Sequence, residues 1–295
     1  MQRTILHKVI AKLSTTSFFN WMPDKPYLCM QYWARLGQRL NLKNPQTFNE
    51  KMQWLKLYNR KPVYTEMVDK YQAKKFIADK IGEEYIIPTL GVWERFEEID
   101  FDRLPNQFVL KCTHDSGGLV IVRDKATLDF RAAREKIEKS LKTNYYFHGR
   151  EWPYKDVKPR IIAESYLQDT ATGELRDYKW YCFHGEPKLM AIFCGRAMDA
   201  TTANYFDCSF RPVDVTWGYE RSEIQPEKPK NFDKMRQFAA VLSEVAPSLR
   251  VDFYEVDGHL YVGELTFFDG SGYDLIQPKE WDERMGSWLK LSAQE

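Results

Sequence analysis

The chain has 295 residues, of which 43% are apolar, 15% aromatic and 29% charged, a composition that supplies a large core and excludes a disordered chain. Its 43 Lys and Arg stand against 42 Asp and Glu, a net charge of +1, so overall charge points to no partner. No apolar run reaches the roughly 18 residues of a membrane span, and the N-terminal MQRTILHKVIAK lacks the apolar stretch and small-residue cleavage site of a secretory signal.

The charge is nevertheless uneven. Residues 1–62 carry eleven Lys and Arg against Asp24 and Glu50 alone, an excess of nine positive charges that leaves the remainder at −8. This head reads as a basic helical cap, with Thr47 and Phe48 opening FNEKMQWLKLYN, whose apolar positions recur at helical spacing. Such a cap either packs with a solvated basic face or meets an anionic membrane surface or an acidic glycan. Nucleic acid is not expected, because no DNA-binding or RNP-like motif accompanies the charge.

Beyond the head, EMVDKYQAKKFIADKIG predicts one amphipathic helix closed by Gly82, with a turn at Pro88. NQFVLKCTHDSGGLVIV predicts strand, glycine turn, strand. ATLDFRAAREKIEKSLKTN predicts a helix with Thr127 as N-cap. Residues 144–159 form an aromatic loop without a period, and PRIIAESYL is a strand. DYKWYCFHGEPKLMAIFCGRA predicts a hairpin about His184-Gly185-Glu186. The helix NFDKMRQFAAVLSEVA then leads to a second hairpin, RVDFYEVDGHLYVGELTFF, turning at Asp257-Gly258. Cys29, Cys112, Cys182, Cys194 and Cys208 form no CxxC pair, which favours reduced thiols over zinc or disulfides.

The informative feature is charge inside strands that otherwise read as buried. Lys111 ends FVLK, Glu164 sits in IIAES, Asp252 in RVDFY and Glu264 in YVGEL. An unpaired buried charge costs several kcal/mol, about 3–5 when a partner is removed, so such groups pair with each other or with a ligand. Four on successive strands, beside the loop His114-Asp115-Ser116-Gly117-Gly118, point to one site for a polyanion and a metal. The loop offers consecutive backbone N–H groups for phosphate. Lys111 supplies a point charge, and Asp252 and Glu264, on adjacent strands, can converge on Mg²⁺. A hydrolase triad from His114, Asp115 and Ser116 is rejected, because adjacent side chains point apart.

In this order, Asp69-Lys70, VLK with its glycine loop, AESYL, DYK, RVDF and GELT…GSG resemble the ATP-grasp superfamily. FNEKMQWLKLYNR, VDKYQAK, THDSGG, RDYKWYCF and ELTF resemble its TupA-like branch, associated with teichuronopeptide and other surface-polysaccharide synthesis. The resemblance implies an α+β fold in which two lobes with antiparallel sheets clasp ATP. The division is a cap at 1–65, a small lobe at 66–168 and a C-terminal lobe with the Mg²⁺ site at 169–295. It implies phosphate contacts from Lys70, Lys111, Ser116, Gly117 and Gly118. Adenine contacts come from Glu164 and the backbone of Leu167, and Asp177 lies near the ribose. Lys179 and Arg196 would face the transferring phosphate, and Arg250 would steady it. Asp252 and Glu264 would hold Mg²⁺, with Thr266 standing where most relatives have Asn and Asp269 able to compensate.

The activity so implied is a carboxylate–amine ligase, using ATP and Mg²⁺ to join an amino acid or other amine to a uronic acid of a capsule or O-antigen saccharide, or to a nucleotide sugar. It would work in the cytoplasm, either free or peripherally at the inner membrane face. The aromatic loop suits such an acceptor: rings of Trp152 and Tyr154 stack on sugars and Arg150 pairs with a carboxylate. A packed lid is the alternative there, and a plain turn is the alternative to carboxylate binding at Ser271. A glycosyltransferase and a non-catalytic ATP-binding scaffold are the competing functions; no DxD motif supports the former.

Overall fold

The structure is a computed structural model that describes residues 4–170, 173–195 and 201–292. Five helices come first: α1 (Ile5–Leu13), α2 (Asp24–Leu36), α3 (Phe48–Tyr58), α4 (Val63–Val68) and α5 (Gln72–Ile81). Helix α3 starts where the sequence places it. Thr47 Oγ1 accepts from the Glu50 N–H at 3.2 Å and the Glu50 carboxylate accepts from the Thr47 N–H at 3.3 Å, a reciprocal cap.

The predicted helix over 66–82 is two helices. Asp69 breaks it, because its carboxylate accepts from the N–H of Tyr71 at 2.9 Å and caps α5, while the Lys70 N–H leaves the helix for Thr113 O at 3.0 Å. The break aims Lys70 at the glycine loop.

The small sheet joins β1 (Thr89–Trp93), β2 (Phe108–Cys112), β3 (Leu119–Val122) and β4 (Ile161–Ser165) in the antiparallel order β1-β4-β2-β3. Helix α6 (Phe130–Leu141) covers one face, burying Ala133 and Ile137 against Phe108, Leu110 and Ile161. Its N-cap is Asp129, which accepts from the Ala132 N–H at 2.9 Å, and not Thr127, which ends a preceding 3₁₀ turn. A carboxylate at the helix start also suits the helix dipole, which the hydroxyl cannot match. The expected loop at 144–159 holds α7 (Tyr146–Gly149) and a 3₁₀ turn at Trp152–Tyr154, both too short to show a period.

The large sheet runs β11-β10-β5-β6-β7-β8, all antiparallel. It comprises β5 (Asp177–Phe183), β6 (Glu186–Cys194), β7 (Thr202–Phe206), β8 (Pro212–Val213), β10 (Ser248–Val256) and β11 (His259–Thr266). Both predicted hairpins are present, with positive φ at His184-Gly185 and Asp257-Gly258, where the two-residue turns require it. Strand β9 (Thr216–Trp217) pairs with β12 (Ile276–Gln277), while α8 (Phe232–Ser243) and α9 (Lys279–Trp288) complete the fold. Strands β7 to β9 carry no hairpin signal and were not expected.

The main core lies on the large sheet and takes Phe48, Met52, Leu55, Tyr64, Met67 and Ile77 from α3, α4 and α5. The second half of the basic head is built into the large core. Lys51 of α3 donates to Gly286 O and Leu289 O at the C-terminus of α9, both at 2.8 Å, where the helix dipole favours a cation. All five cysteines are free, and burial pushes the Cys112 and Cys182 thiols up to about 11 and about 12. Among the described residues no helix is long and apolar enough to cross a membrane.

Candidate functional site

Strand register sets the first half of the site. Asp252 on β10 lies opposite Lys179 on β5 and opposite Glu264 on β11, so three strands present ionic side chains at one level. A register irregularity follows directly, between Asp252 and Phe253. Arg250 ties the group together. Its Nε and Nη2 donate to the two oxygens of Asp252 at 2.6 and 2.7 Å, Nη2 also to Glu264 Oε1 at 2.9 Å, and Nη1 to Asp269. Lys179 contacts Asp252 from the other side and lies 3.4 Å from Asp177. The Tyr181 hydroxyl donates to the second oxygen of Asp269 at 2.7 Å.

Asp252 is buried, but the Glu264 side chain keeps 43% of its surface exposed. Burial works against the Glu264 carboxylate; Arg250, Lys179 and Lys70 outweigh it and hold its pKa down to about 2. It is therefore an anion that still faces the cleft.

The small sheet brings the second half. Lys111 pairs across the sheet with Ile162 and Glu164 with Val109, which sets Lys111 and Glu164 diagonally on one face. Lys111 Nζ meets Glu164 Oε2 at 2.5 Å, and Lys74 of α5 meets Oε1 at 2.7 Å. Burial presses Glu164 toward the neutral acid, yet the two lysines win and keep its pKa below the usual carboxylate range. In the glycine loop, the Asp115 carboxylate accepts from the Gly118 N–H at 3.0 Å and from the Ser140 hydroxyl, while Lys70 donates to Asp115 O. His114 Nε2 lies 3.1 Å from both Ser140 O and Thr143 O. The loop is thus latched to α6 with Ser116 and Gly117 at its tip; open space surrounds the Gly117 Cα.

These two halves face one hollow of about 320 Å³. Lys70, Lys111, Lys179 and Arg250 line it, as do Ser116, Gly117 and Gly118. So do Asp115, Asp177, Asp252, Glu264 and Asp269, making four basic side chains against five acidic ones. A second hollow of about 520 Å³ shares Lys111, Leu119, Asp177 and Tyr254 with the first and is walled by Ile87, Val109, Ile121 and Leu167. Together they form a cleft with an ionic half and a more apolar half that Arg123, Glu164 and Glu174 also line, the composition of a site for a charged and a flat moiety joined end to end.

Several expected residues are engaged differently. Glu164 gives one oxygen to each of two lysines, a firmer commitment than the adenine contact expected of it. Thr266 donates to Glu264 Oε1 at 3.1 Å, so its hydroxyl props the carboxylate. Arg150 leaves the acceptor role expected for it: it is 1% exposed, lies 4.3 Å over the Tyr27 ring, and donates to Phe19 O at 2.8 Å and Met22 O at 3.1 Å. Tyr154 packs edge-on to Tyr145 at 4.8 Å, while Trp152 is half-buried in the adjoining turn. Ser271 Oγ takes a hydrogen bond from buried Lys56 at 2.9 Å. Arg196 lies outside the described residues.

Sequence reasoning missed Lys74, Tyr181 and Lys56. Lys74 follows Lys70 by four residues in a lysine-rich helix, which is the one signal that could have found it. Tyr181 alternates with Lys179 on a strand read as buried throughout.

The donor set fits Mg²⁺. Asp252 and Glu264 offer hard carboxylate oxygens opposite one another. Among the described residues no three acidic, His or Cys side chains are grouped to hold a metal unaided. An ion bound there would need further oxygens from phosphate and water, the coordination Mg²⁺ prefers.

The family model described as TupA-like ATPgrasp matches residues 50–290. Comparison with curated proteins returns no match. Among solved structures, D-alanine–D-alanine ligase from Bacillus anthracis complexed with ATP is similar at 17% identity and TM-score 0.39, over 68% of this chain and 54% of that one. D-alanine–D-alanine ligase from Helicobacter pylori is similar at 14% identity and TM-score 0.42, over 82% and 69%. An L-amino acid ligase from Bacillus licheniformis is similar at 14% identity and TM-score 0.42, over 89% and 55%. The chain thus spans about half the length of the first and the third of these.

Proposed function

The chain belongs to the TupA-like ATP-grasp family, and on that footing we propose that it is an ATP-dependent carboxylate–amine ligase. The single observation that carries the reading is the convergence of Lys111, Lys179, Arg250, Asp252 and Glu264 on one hollow beside a glycine loop. The triphosphate lies along the ionic half, and adenine enters the apolar half beside Leu167.

In this reading Lys70, Lys111 and the backbone N–H groups of the loop orient the β- and γ-phosphates. Mg²⁺ held by Asp252 and Glu264, when bound, neutralises charge on the phosphate oxygens. The substrate carboxylate attacks the γ-phosphorus, the bond to the β-phosphate oxygen breaks, and ADP leaves with the electron pair. The amine then attacks the acyl carbon; phosphate departs, the amine loses a proton and an amide remains. Arg250 and Lys179 stand where charge builds on the transferring group and on the oxyanion that follows. Lys179 and Arg250 are already held by acidic neighbours, so neither needs to reorganise.

The proposed substrates are an amino acid or other amine and a uronic acid of a capsule or O-antigen saccharide or its nucleotide-linked precursor. The test is ADP release by purified protein with Mg-ATP, screened over amino acids and uronates. ADP release that requires both an acid and an amine supports the ligase. Release indifferent to both, or turnover of a nucleotide sugar without ATP, contradicts it.

A further inference from the structure

Helix α1 is seated on α2 by its polar side. The His7 ring lies tilted against Trp33 with centroids 4.2 Å apart, Gln31 Nε2 donates to Ser14 Oγ at 2.7 Å, and the Tyr27 hydroxyl donates to Ser14 O at 3.1 Å. The apolar side faces out. Ile5, Leu6, Val9 and Leu13, together with Phe18 and Trp21 in the segment that follows, are 46–82% exposed. At 3.6 residues per turn the four α1 residues form one stripe, and the exposed Lys8 and Lys12 border it. Buried Arg150 fixes the segment beyond, through its hydrogen bonds to Phe19 O and Met22 O. A folded segment that holds six large apolar side chains in water, each worth about 1.5–3 kcal/mol if buried, is a contact surface.

We infer that this face docks on an anionic lipid bilayer, with α1 lying in the interfacial plane. The apolar stripe enters the acyl boundary, Phe18 and Trp21 sit at headgroup depth, and Lys8, Lys12 and Lys25 meet lipid phosphates. Charge decides for lipid over a second copy of the chain. The segment 4–23 that bears this face carries Lys8 and Lys12 and no acidic side chain, so a two-fold pairing through it would bring like charges together. An anionic leaflet attracts each lysine near its surface. The inference is independent of the ligase reading, since vesicle binding requires neither ATP nor an acceptor.

The experiment is co-sedimentation of the full chain with vesicles of phosphatidylcholine alone or mixed equally with phosphatidylglycerol, at low and high salt. Binding to the mixed vesicles at low salt, weakened by salt, is expected, with little binding to phosphatidylcholine. Lys8→Gln/Lys12→Gln should weaken partitioning by roughly thirtyfold. Leu6→Glu/Val9→Glu, both exposed, should abolish it without changing the thermal unfolding midpoint. Absence of wild-type binding at low salt, or unaltered binding of Leu6→Glu/Val9→Glu, overturns the inference. A dimer in sedimentation that Leu6→Glu/Val9→Glu dissociates also overturns it, assigning the face to a second copy.

Discussion

Ionic side chains in and beside the site are held by specific neighbours, and Arg250 holds three carboxylates at once. Glu264 is the clearest case. Its folded pKa of about 2 lies below the ordinary carboxylate value, so its contribution to stability is fully present above pH of about 4.5 and is lost as pH falls through about 2. An NMR titration of the side-chain carboxyl should find its midpoint near 2; a midpoint at 4 or above would contradict the network. Lys56 is the second case. It is fully buried and donates to Gly149 O at 2.8 Å, to Ser271 O at 2.7 Å and to Gln53 Oε1 at 3.0 Å, holding the turn that follows Asp269. Lys56→Met takes this donor from Gly149 O and Gln53 Oε1, leaving Ser271 O only Gln53 Nε2, and should cost about 3 kcal/mol in urea unfolding; a loss below about 0.5 kcal/mol, the range of a plain surface change, would contradict the role. The two residues differ in legibility. Glu264 stood out as a charge in an apolar strand, whereas a lysine in a mixed helix reads as solvated until the facing turn is known.

Elements position these residues, and most were legible because hairpins carry local signals. The turn at Asp257-Gly258 joins the strands that carry Asp252 and Glu264, whereas Lys179 comes opposite Asp252 through the long-range pairing of β5 with β10. The helix break at Asp69 was not legible, because periodicity runs through it and the interruption comes from a side chain bonding to the backbone. Asp69 is fully buried and also pairs with Arg160 at 2.6 Å. Asp69→Ala removes the α5 cap and strands Arg160, for an expected loss of about 3 kcal/mol in urea unfolding. Because the same break aims Lys70 at the glycine loop, nucleotide affinity should fall as well. A variant as stable as wild type would show that the break has another cause. Strands β7 to β9 escaped notice since two- and five-residue strands lack a pattern of their own.

At the scale of the molecule, the small sheet brings Lys111 and the glycine loop, the large sheet brings Lys179, Arg250 and the carboxylates Asp177, Asp252 and Glu264, and the hollow lies between. Four basic against five acidic side chains leave it formally at −1, an environment that by itself repels a triphosphate. Lys111 and Lys70, beside the glycine loop, attract the phosphates, whereas the acidic end admits them only with a divalent cation. ATP binding should therefore depend on Mg²⁺ and on Lys111 together. The sequence displayed the order of these charges, but not the ion pairs they make with each other, which required both sheets in place. The most direct test is calorimetric titration of ATP into wild type and Lys111→Met, with Mg²⁺ and with chelator. Tight binding to wild type with Mg²⁺, strong weakening by chelator and none measurable for Lys111→Met are expected; equal affinity of both proteins for Mg-ATP would contradict the assignment of the phosphate site.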